Sequence, residues 1–316
     1  MRGGEDMTPS LGPLRAAFES SGSPSWVMRV IQARGFDLRH DFRLDLGHGG
    51  DRGTRRAQAT EAVLVDGAAD LIDTDWISIA RSCHSGPGLV AVFPYGRIMG
   101  GVVTAAGPGV TTLAGLRGRR VGVVRAIDKN WIVVRAAFRQ KYGFDLQTEV
   151  AVDEALSKTT LVQWLEAGRV DAAVLPWHLV PRLTASGRFR QLCDVLDLLP
   201  ELGAASVPTT FFAVRPDFAS ARPELIAAFI AAYTEAVNLM RADEGVWREA
   251  AGAPGDGPEL LASLHAAWSR RICCEWGQDD VRHLECLFER LRAIGGEECV
   301  GIAGMPRGLF VPALMH

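Results

Sequence analysis

The chain has 316 residues, of which 48% are hydrophobic and 22% charged, and its formal net charge at pH 7 is −3. This length exceeds the size at which a single hydrophobic core usually stops growing, so more than one structural unit is expected. Phosphate binding needs clustered Lys and Arg residues, and the lack of a basic excess argues against nucleic acid as a partner.

The first third of the chain is predicted to alternate strands with helices. Strands are expected at residues 14–18, 42–46, 69–72 and 89–93, and helices at about residues 24–34, 54–65 and 77–83. The first helix has the clearest boundaries, because Ser23 suits an N-cap, Pro24 a first turn and Gly35 a C-terminal end. Such alternation is typical of parallel sheets covered by helices.

The next part of the chain repeats this pattern. Strands are predicted at residues 121–124, 148–152 and 172–175, and helices at residues 128–142 and about 159–167. The tetrapeptides Gly67-Ala-Ala-Asp70 and Gly168-Arg-Val-Asp171 precede corresponding strands and form a weak internal repeat. The pattern therefore predicts an α/β fold with two lobes built on one plan, each a mostly parallel sheet flanked by helices.

The last part of the chain is predicted to be helical, at about residues 223–240, 259–270 and 279–294. We expect the chain to cross between the lobes twice, at residues 96–103 and 209–214. Lobe 1 would then comprise residues 10–97 and 210–316, and lobe 2 residues 98–209.

No apolar run approaches the roughly 20 residues of a membrane-spanning helix, and polar side chains interrupt the longest candidate, residues 225–237. The six cysteines show no framework spacing, and the seven histidines are scattered singly. One group near the C-terminus lacks the paired spacing of a zinc site: Cys273, Cys274, His283 and Cys286. We therefore expect neither a metal nor a cofactor, and cysteines that are small buried side chains.

The most informative segment is residues 109–131, GVTTLAGLRGRRVGVVRAIDKNW. A polar turn leads through Leu-Ala-Gly-Leu and a basic Arg-Gly-Arg-Arg to a buried strand and the start of a helix. This segment resembles the one that opens the second lobe of type II periplasmic solute-binding proteins, in particular the SsuA/THI5-like (NitT/TauT, NMT1-like) ABC transporter family. Gly67-Ala-Ala-Asp70 also stands where that family commonly has a similar tetrapeptide, and the resemblance extends over roughly residues 14–294.

The resemblance implies a substrate-binding protein of an ABC-type importer. Such a protein clamps a small organic ligand between its lobes by closing about two hinge crossings, and its further partner is the transporter permease. It implies a periplasmic monomer. Residues 1–18 lack the charged-then-apolar pattern of a signal peptide, so an exported protein would begin upstream of Met1 or have lost its signal. A cytoplasmic location therefore stays open.

A two-lobe clamp holds its ligand at the carboxyl ends of the strands of both lobes. This rule selects the loops at residues 21–25, 47–53, 73–76, 125–131 and 176–178. Serine hydroxyls beside helix N-terminal amides suit an anion, whereas indoles suit an organic ligand with apolar surface, cationic and aromatic ligands included. The candidate ligand-binding residues are Ser21, Ser23, Ser25, Asp75, Trp76, Asp128, Lys129, Trp131, Trp177 and His178.

Several of these candidates also have a purely structural explanation. Ser23, Asp75 and Asp128 are plausible helix caps, Trp76 is a plausible core residue, and His178 a plausible packed histidine. The argument for a binding site is that Trp76, Trp131 and Trp177 each follow a predicted strand and come from both lobes. They are therefore expected to line one cleft.

A cytoplasmic enzyme or ligand sensor on the same fold is the alternative. The sequence contains no G-x-S-x-G, G-x-x-x-x-G-K or H-E-x-x-H motif. The fold family also includes a desulfinase with a nucleophilic cysteine after the first strand and a pyrimidine synthase with a cysteine-rich iron-binding segment. Here the first loop reads SSGSPS and nothing comparable to the second segment is present. We therefore expect a binding protein and not an enzyme.

Overall fold

A computed structural model describes residues 9–18, 21–48, 60–86, 88–97, 100–204 and 207–311. The predicted loop at residues 47–53 and the first part of the predicted helix at residues 54–65 lie mostly outside these ranges. Residues 1–8 and residues 98 and 99 of the first predicted crossing also lie outside them.

The described residues contain two five-stranded sheets. The first sheet has the order β2-β1-β3-β10-β4, formed by β1 (Pro13–Phe18), β2 (Arg43–His48), β3 (Leu71–Asp75), β4 (Val90–Gly96) and β10 (Thr210–Val214). The second has the order β7-β6-β8-β5-β9, formed by β5 (Gly100–Ala105), β6 (Arg120–Val123), β7 (Ala151–Glu154), β8 (Ala172–Pro176) and β9 (Phe189–Asp194).

Helices cover these sheets and define two lobes. The first lobe contains the first sheet with α1 (Ser23–Arg34), α2 (Phe36–Arg39), α3 (Thr60–Val65) and α4 (Trp76–Ser85). The second lobe contains the second sheet with α5 (Lys129–Tyr142), α6 (Leu146–Glu149), α7 (Lys158–Glu166) and α8 (Val180–Thr184). The remaining helices are α9 (Pro216–Ala221), α10 (Pro223–Ala242), α11 (Glu244–Ala251), α12 (Pro258–Ser269), α13 (Gln278–Gly295) and α14 (Glu297–Val300). The predicted two-lobe α/β fold is confirmed.

The two sheets have the same topology, including one antiparallel strand each. In the first sheet β10 runs antiparallel to β3 and β4, and in the second β5 runs antiparallel to β8 and β9. These are the strands that the chain forms directly after passing from one sheet to the other. The second predicted crossing at residues 209–214 is therefore wrong, because Thr210–Val214 is itself a strand and the passage precedes it.

The repeated tetrapeptides occupy equivalent positions in the two lobes. Gly67 and Gly168 both have positive φ angles, 71° and 65°, which end the preceding helical segments in the conformation that glycine adopts most easily. Asp70 then pairs with Arg15 at the start of β1, and Asp171 pairs with Arg120 at the start of β6. The weak sequence repeat is thus a real structural repeat that fixes the start of a central strand.

Two local predictions were wrong for identifiable reasons. Ser23 does not cap α1, since the helix begins at Ser23 itself after Gly22, whose φ of 100° is accessible mainly to glycine. The strand expected at residues 148–152 begins only at Ala151, because the Asp145 carboxylate caps the short helix α6 by accepting from the Gln147 amide. Strand β9 and helix α11 were not predicted.

The C-terminal helices contact both lobes. Helices α10 and α11 pack on α1, whereas α12 packs on α8 and α13 on α5. Arg182 of α8 also pairs with Asp256, before α12, at 2.6 Å. Helix α10 is long and apolar enough to cross a membrane by length and composition alone. Nine of its side chains are buried in the protein, as in the core helix of a globular fold.

Candidate functional site

A cavity of about 160 Å³ lies between the carboxyl ends of the strands of the two lobes. The first lobe contributes Ser21, Gly22, Ser23, Pro24, Glu61, Asp73, Thr74, Asp75, Ser78 and Tyr95. The second lobe contributes Arg125, Asp128, Lys129, Asn130, Lys158, Pro176, Trp177 and His178. Most of these side chains are polar, so the cavity is suited to a small polar molecule.

Seven of the ten candidate residues line this cavity. They are Ser21, Ser23, Asp75, Asp128, Lys129, Trp177 and His178. Ser25 lies one turn inside α1, where its hydroxyl donates to the Gly22 carbonyl at 2.9 Å. Trp76 and Trp131 do not line the cavity either.

The expectation that three tryptophans line one cleft is therefore wrong. Trp76 and Trp131 are 0% exposed, because both lie in the first turn of a helix and their side chains turn back into the core of their own lobe. The Trp131 indole donates to Gln147 Oε1 of α6 at 2.8 Å. Only Trp177 reaches the cavity, where its ring makes an edge contact with Trp26 of α1 at a centroid distance of 5.5 Å.

Strand β3 supplies the acidic wall of the cavity. The Asp75 carboxylate caps α4 by accepting from the amides of Ile77 and Ser78, both at 3.0 Å. It also faces Lys129 of the second lobe, with 3.8 Å between Nζ and Oδ2. The preceding residue of the strand, Thr74, donates its hydroxyl to Glu61 Oε1 at 2.6 Å. Asp75 is thus both a cap and a contact across the cavity.

Asp73 differs from these carboxylates. Its Oδ1 is buried and has no hydrogen-bond partner among the described residues. Burial raises the pKa of Asp73 to about 7, while its own backbone amide, the charge of Lys129 and a hydrogen bond from the Tyr95 hydroxyl act in the opposite direction. A carboxyl group held in this state is a natural contact point for a ligand.

The opposite wall is formed by the second lobe. The Asp128 carboxylate caps α5 by accepting from the Asn130 amide at 2.7 Å and from Asn130 Nδ2 at 2.8 Å. Lys158 begins α7, and burial lowers its pKa to about 8. Arg125 and Lys129 complete a wall that is mainly basic.

His178 closes one end of the cavity against Gly22. Burial lowers the pKa of His178 well below its usual value, and the nearby Lys158 and Arg182 act in the same direction. The imidazole is therefore neutral at pH 7, and its Nε2 has no hydrogen-bond partner among the described residues. A Cβ atom on Gly22 would lie 3.5 Å from His178 Nδ1, so a larger residue there would crowd the contact between the lobes.

Sequence reasoning missed Tyr95, Glu61 and Lys158, and it did not select Asp73 within its own loop. Tyr95 lies in a strand that was predicted to end at residue 93 but extends to Gly96. Lys158 follows β7, whose position was predicted too early in the chain. A correct placement of these two strand ends would have selected both residues. Within the described residues, no group of three His, Cys, Asp or Glu residues could hold a metal ion.

The sequence matches one family model, NMT1/THI5 like, over residues 55–244. No curated protein matches the chain. Solved structures with the same fold include a protein from Bordetella bronchiseptica RB50, with a TM-score of 0.73 and 19% identity over 96% of this chain and 95% of that one. The alkanesulfonate-binding protein SsuA from Xanthomonas axonopodis pv. citri, bound to MOPS, has a TM-score of 0.70 and 18% identity over 89% and 94% of the two chains. The periplasmic aliphatic sulphonate binding protein SsuA from Escherichia coli has a TM-score of 0.68 and 17% identity over 90% and 94%. These likenesses establish the periplasmic-binding-protein fold.

Proposed function

Since the chain belongs to the NMT1/THI5-like family, we propose that it is the substrate-binding protein of an ABC-type importer and holds a small organic ligand between its lobes. The observation that carries the proposal is the polar cavity between the strand ends of the two lobes, to which both lobes contribute charged side chains. Solved proteins of the same fold are described as sulfonate-binding proteins, two of them as periplasmic. The partner of this chain would then be a transporter permease, and its location the periplasm.

The proposed mechanism is closure of the two lobes around the ligand. Contacts already join the lobes beside the cavity, including the Lys129–Asp75 pair and a hydrogen bond of 2.9 Å from Arg81 Nη1 to the Ile127 carbonyl. A ligand that touches both walls would add to these contacts only when the lobes are close together. It would therefore shift an open–closed equilibrium toward the closed form, which the permease could recognise.

The test begins with a native mass spectrum of the protein from its own cells, which gives the mass of any bound ligand. X-ray scattering then compares the full chain before and after that ligand is removed and restored. We expect a smaller radius of gyration with ligand and recovery of the ligand unchanged. An unchanged radius with ligand bound would contradict the clamp, and chemical conversion of the ligand would favour an enzyme.

A pair of charge reversals sharpens the test. Lys129→Glu places a like charge opposite Asp75 and should reduce the compaction, because closure then brings two carboxylates together. Lys141→Glu is the control, since Lys141 lies on the exposed end of α5 and pairs with Glu201 of the same lobe. If both variants compact equally, the Lys129–Asp75 contact has no part in closure.

A further inference from the structure

We propose that the ligand of this cavity presents a protonated nitrogen to Asp73, so that its chemical class is an organic amine or amidine. This inference rests on the proposed ligand-binding function and specifies the chemistry of the same cavity. It is carried by the hydrogen-bonding state of each carboxylate and by the distribution of charge between the two walls.

Asp73 holds a buried carboxylate oxygen that the described residues leave without a hydrogen bond. Asp75 and Asp128 are occupied as helix caps, and Glu61 accepts the Thr74 hydroxyl. The Asp73 carboxyl group accepts from its own backbone amide and from the Tyr95 hydroxyl, but its Oδ1 is buried and has no hydrogen-bond partner among the described residues. A buried carboxylate oxygen without a donor is costly, and a ligand that donates to it removes that cost.

A second unsatisfied atom of the cavity lining, Asn130 Oδ1, leads to the same conclusion. Asn130 is 6% exposed, and its Oδ1 has no donor among the described residues. The orientation of this amide is fixed, because Nδ2 donates to the Asp128 carboxylate and the oxygen must therefore be the atom left over. Asn130 Oδ1 and Asp73 Oδ1 can only accept hydrogen bonds, so both require a donor. His178 Nε2, also without a partner among the described residues, donates or accepts according to the tautomer and is compatible with either kind of ligand atom.

Charge selects a cation over a neutral donor at this wall. Glu61 and Asp75 flank Asp73 on the first lobe, whereas the cations of the cavity stand on the second lobe, where Lys129 faces Asp75. The first-lobe end of the cavity therefore attracts a protonated nitrogen more than an anion. The cavity has room for on the order of ten water-sized groups. The expected ligand is therefore a small amine or amidine, with its remaining atoms directed toward the second lobe.

The test is affinity selection with mass-spectrometric detection on the full chain. One pool contains small organic amines and amidines, and the second contains their N-acetylated forms together with nitrogen-free sulfonates and carboxylates. We expect a compound of the first pool to be retained. Its N-acetylated form should bind at least about tenfold more weakly, a difference of about 1.4 kcal/mol in binding free energy. Retention of nitrogen-free anions in preference to amines would overturn the inference and leave the proposed binding function intact. Retention from neither pool, with no ligand in the native mass spectrum, would overturn both.

Substitutions test whether Asp73 is the residue that contacts the protonated nitrogen of the selected ligand. Asp73→Asn should weaken binding of the selected amine at least about tenfold, because the substitution removes the carboxylate charge and keeps the shape of the side chain. Asp45→Asn is the matched control, since Asp45 lies on β2 of the same sheet and pairs with Arg43 at the surface. Equal affinity of wild type and Asp73→Asn for the amine would contradict the assignment, whether or not the variant changes stability.

The pH dependence gives a second readout. Protonation of Asp73 below its pKa of about 7 competes with the cation, so affinity for the amine should fall by about tenfold per unit on acidification below pH 7. Glu61 of α3, Tyr95 of β4, Lys129 of α5 and Tyr233 of α10 also act on this carboxyl group. The difference between wild type and Asp73→Asn in the slope of affinity against pH is the part due to Asp73. A slope retained in full by that variant would contradict the inference.

Discussion

The two lobes share one framework but present opposite chemistry to the cavity between them. At the start of β1, the Arg15 amide donates to the Asp70 carboxylate at 3.1 Å and the Asp70 amide donates to the Arg15 carbonyl at 2.7 Å. Arg120 and Asp171 make the same pair of contacts at the start of β6, both at 2.8 Å. The carboxyl ends of the strands show no such repetition: the acidic and basic residues that line the cavity are all carboxylates in the first lobe and, Asp128 and the neutral His178 apart, Arg or Lys in the second. The repeated positions thus determine the scaffold, and the unrepeated ones determine the distribution of charge in the cavity.

The largest predicted effect separates a scaffold tryptophan from a cavity tryptophan. Trp131→Ala should lower the free energy of unfolding by about 3–5 kcal/mol, because the side chain is fully buried and hydrogen-bonded to Gln147. The affinity of the folded fraction for ligand should not change. Trp177→Ala should instead lower affinity as well as stability, since its ring lines the cavity. Urea unfolding and calorimetry measure the two quantities, and a loss of affinity in folded Trp131→Ala would break the distinction.

The contrast between scaffold and cavity also explains what the sequence could predict. Strand–helix alternation and the Gly-x-x-Asp repeat depend on local periodicity and backbone conformation, and both were recognised correctly. The antiparallel strands β5 and β10 depend on pairing with strands distant in the chain, so their residues were interpreted as connections.

Site prediction failed where it required the direction of a side chain. The strand-end rule places Cα atoms, and it cannot distinguish Trp177, which faces the cavity, from Trp131, whose position in the first turn of α5 directs it inward. It also depends on where a strand ends, which is why Tyr95 and Lys158 were missed. The unsatisfied state of Asp73 depends on the partners of all its neighbours, and no local pattern encodes it.

An intermediate effect should distinguish the two Arg–Asp pairs. Asp70→Asn should lower the free energy of unfolding by about 2 kcal/mol, because Asp70 is buried and also accepts from the Arg15 guanidinium through Nε and Nη2. Asp171→Asn should lower it by less than about 1 kcal/mol, because Asp171 is exposed and the Arg120 guanidinium pairs with Asp153 instead. Urea unfolding of both variants provides the measurement. Equal losses would mean that the backbone contacts common to both lobes carry the stability and the guanidinium contributes nothing.

The smallest effect should be the same in the two lobes. Gly67→Ala and Gly168→Ala each place a Cβ atom on a residue with positive φ, and at both sites that atom would meet nothing within 4 Å. The only cost is therefore the left-handed backbone conformation, about 1 kcal/mol for each variant. Gly109→Ala is the control, because its Cβ atom would also lie in open space but its φ is outside the positive range. That variant should be neutral or slightly stabilising, since alanine reduces the entropy of the unfolded chain. Midpoints of urea unfolding with unchanged slopes would report all three values. A loss confined to one lobe would show that the two glycines are not equivalent, and the structural repeat would then be limited to the Arg–Asp contacts that follow them.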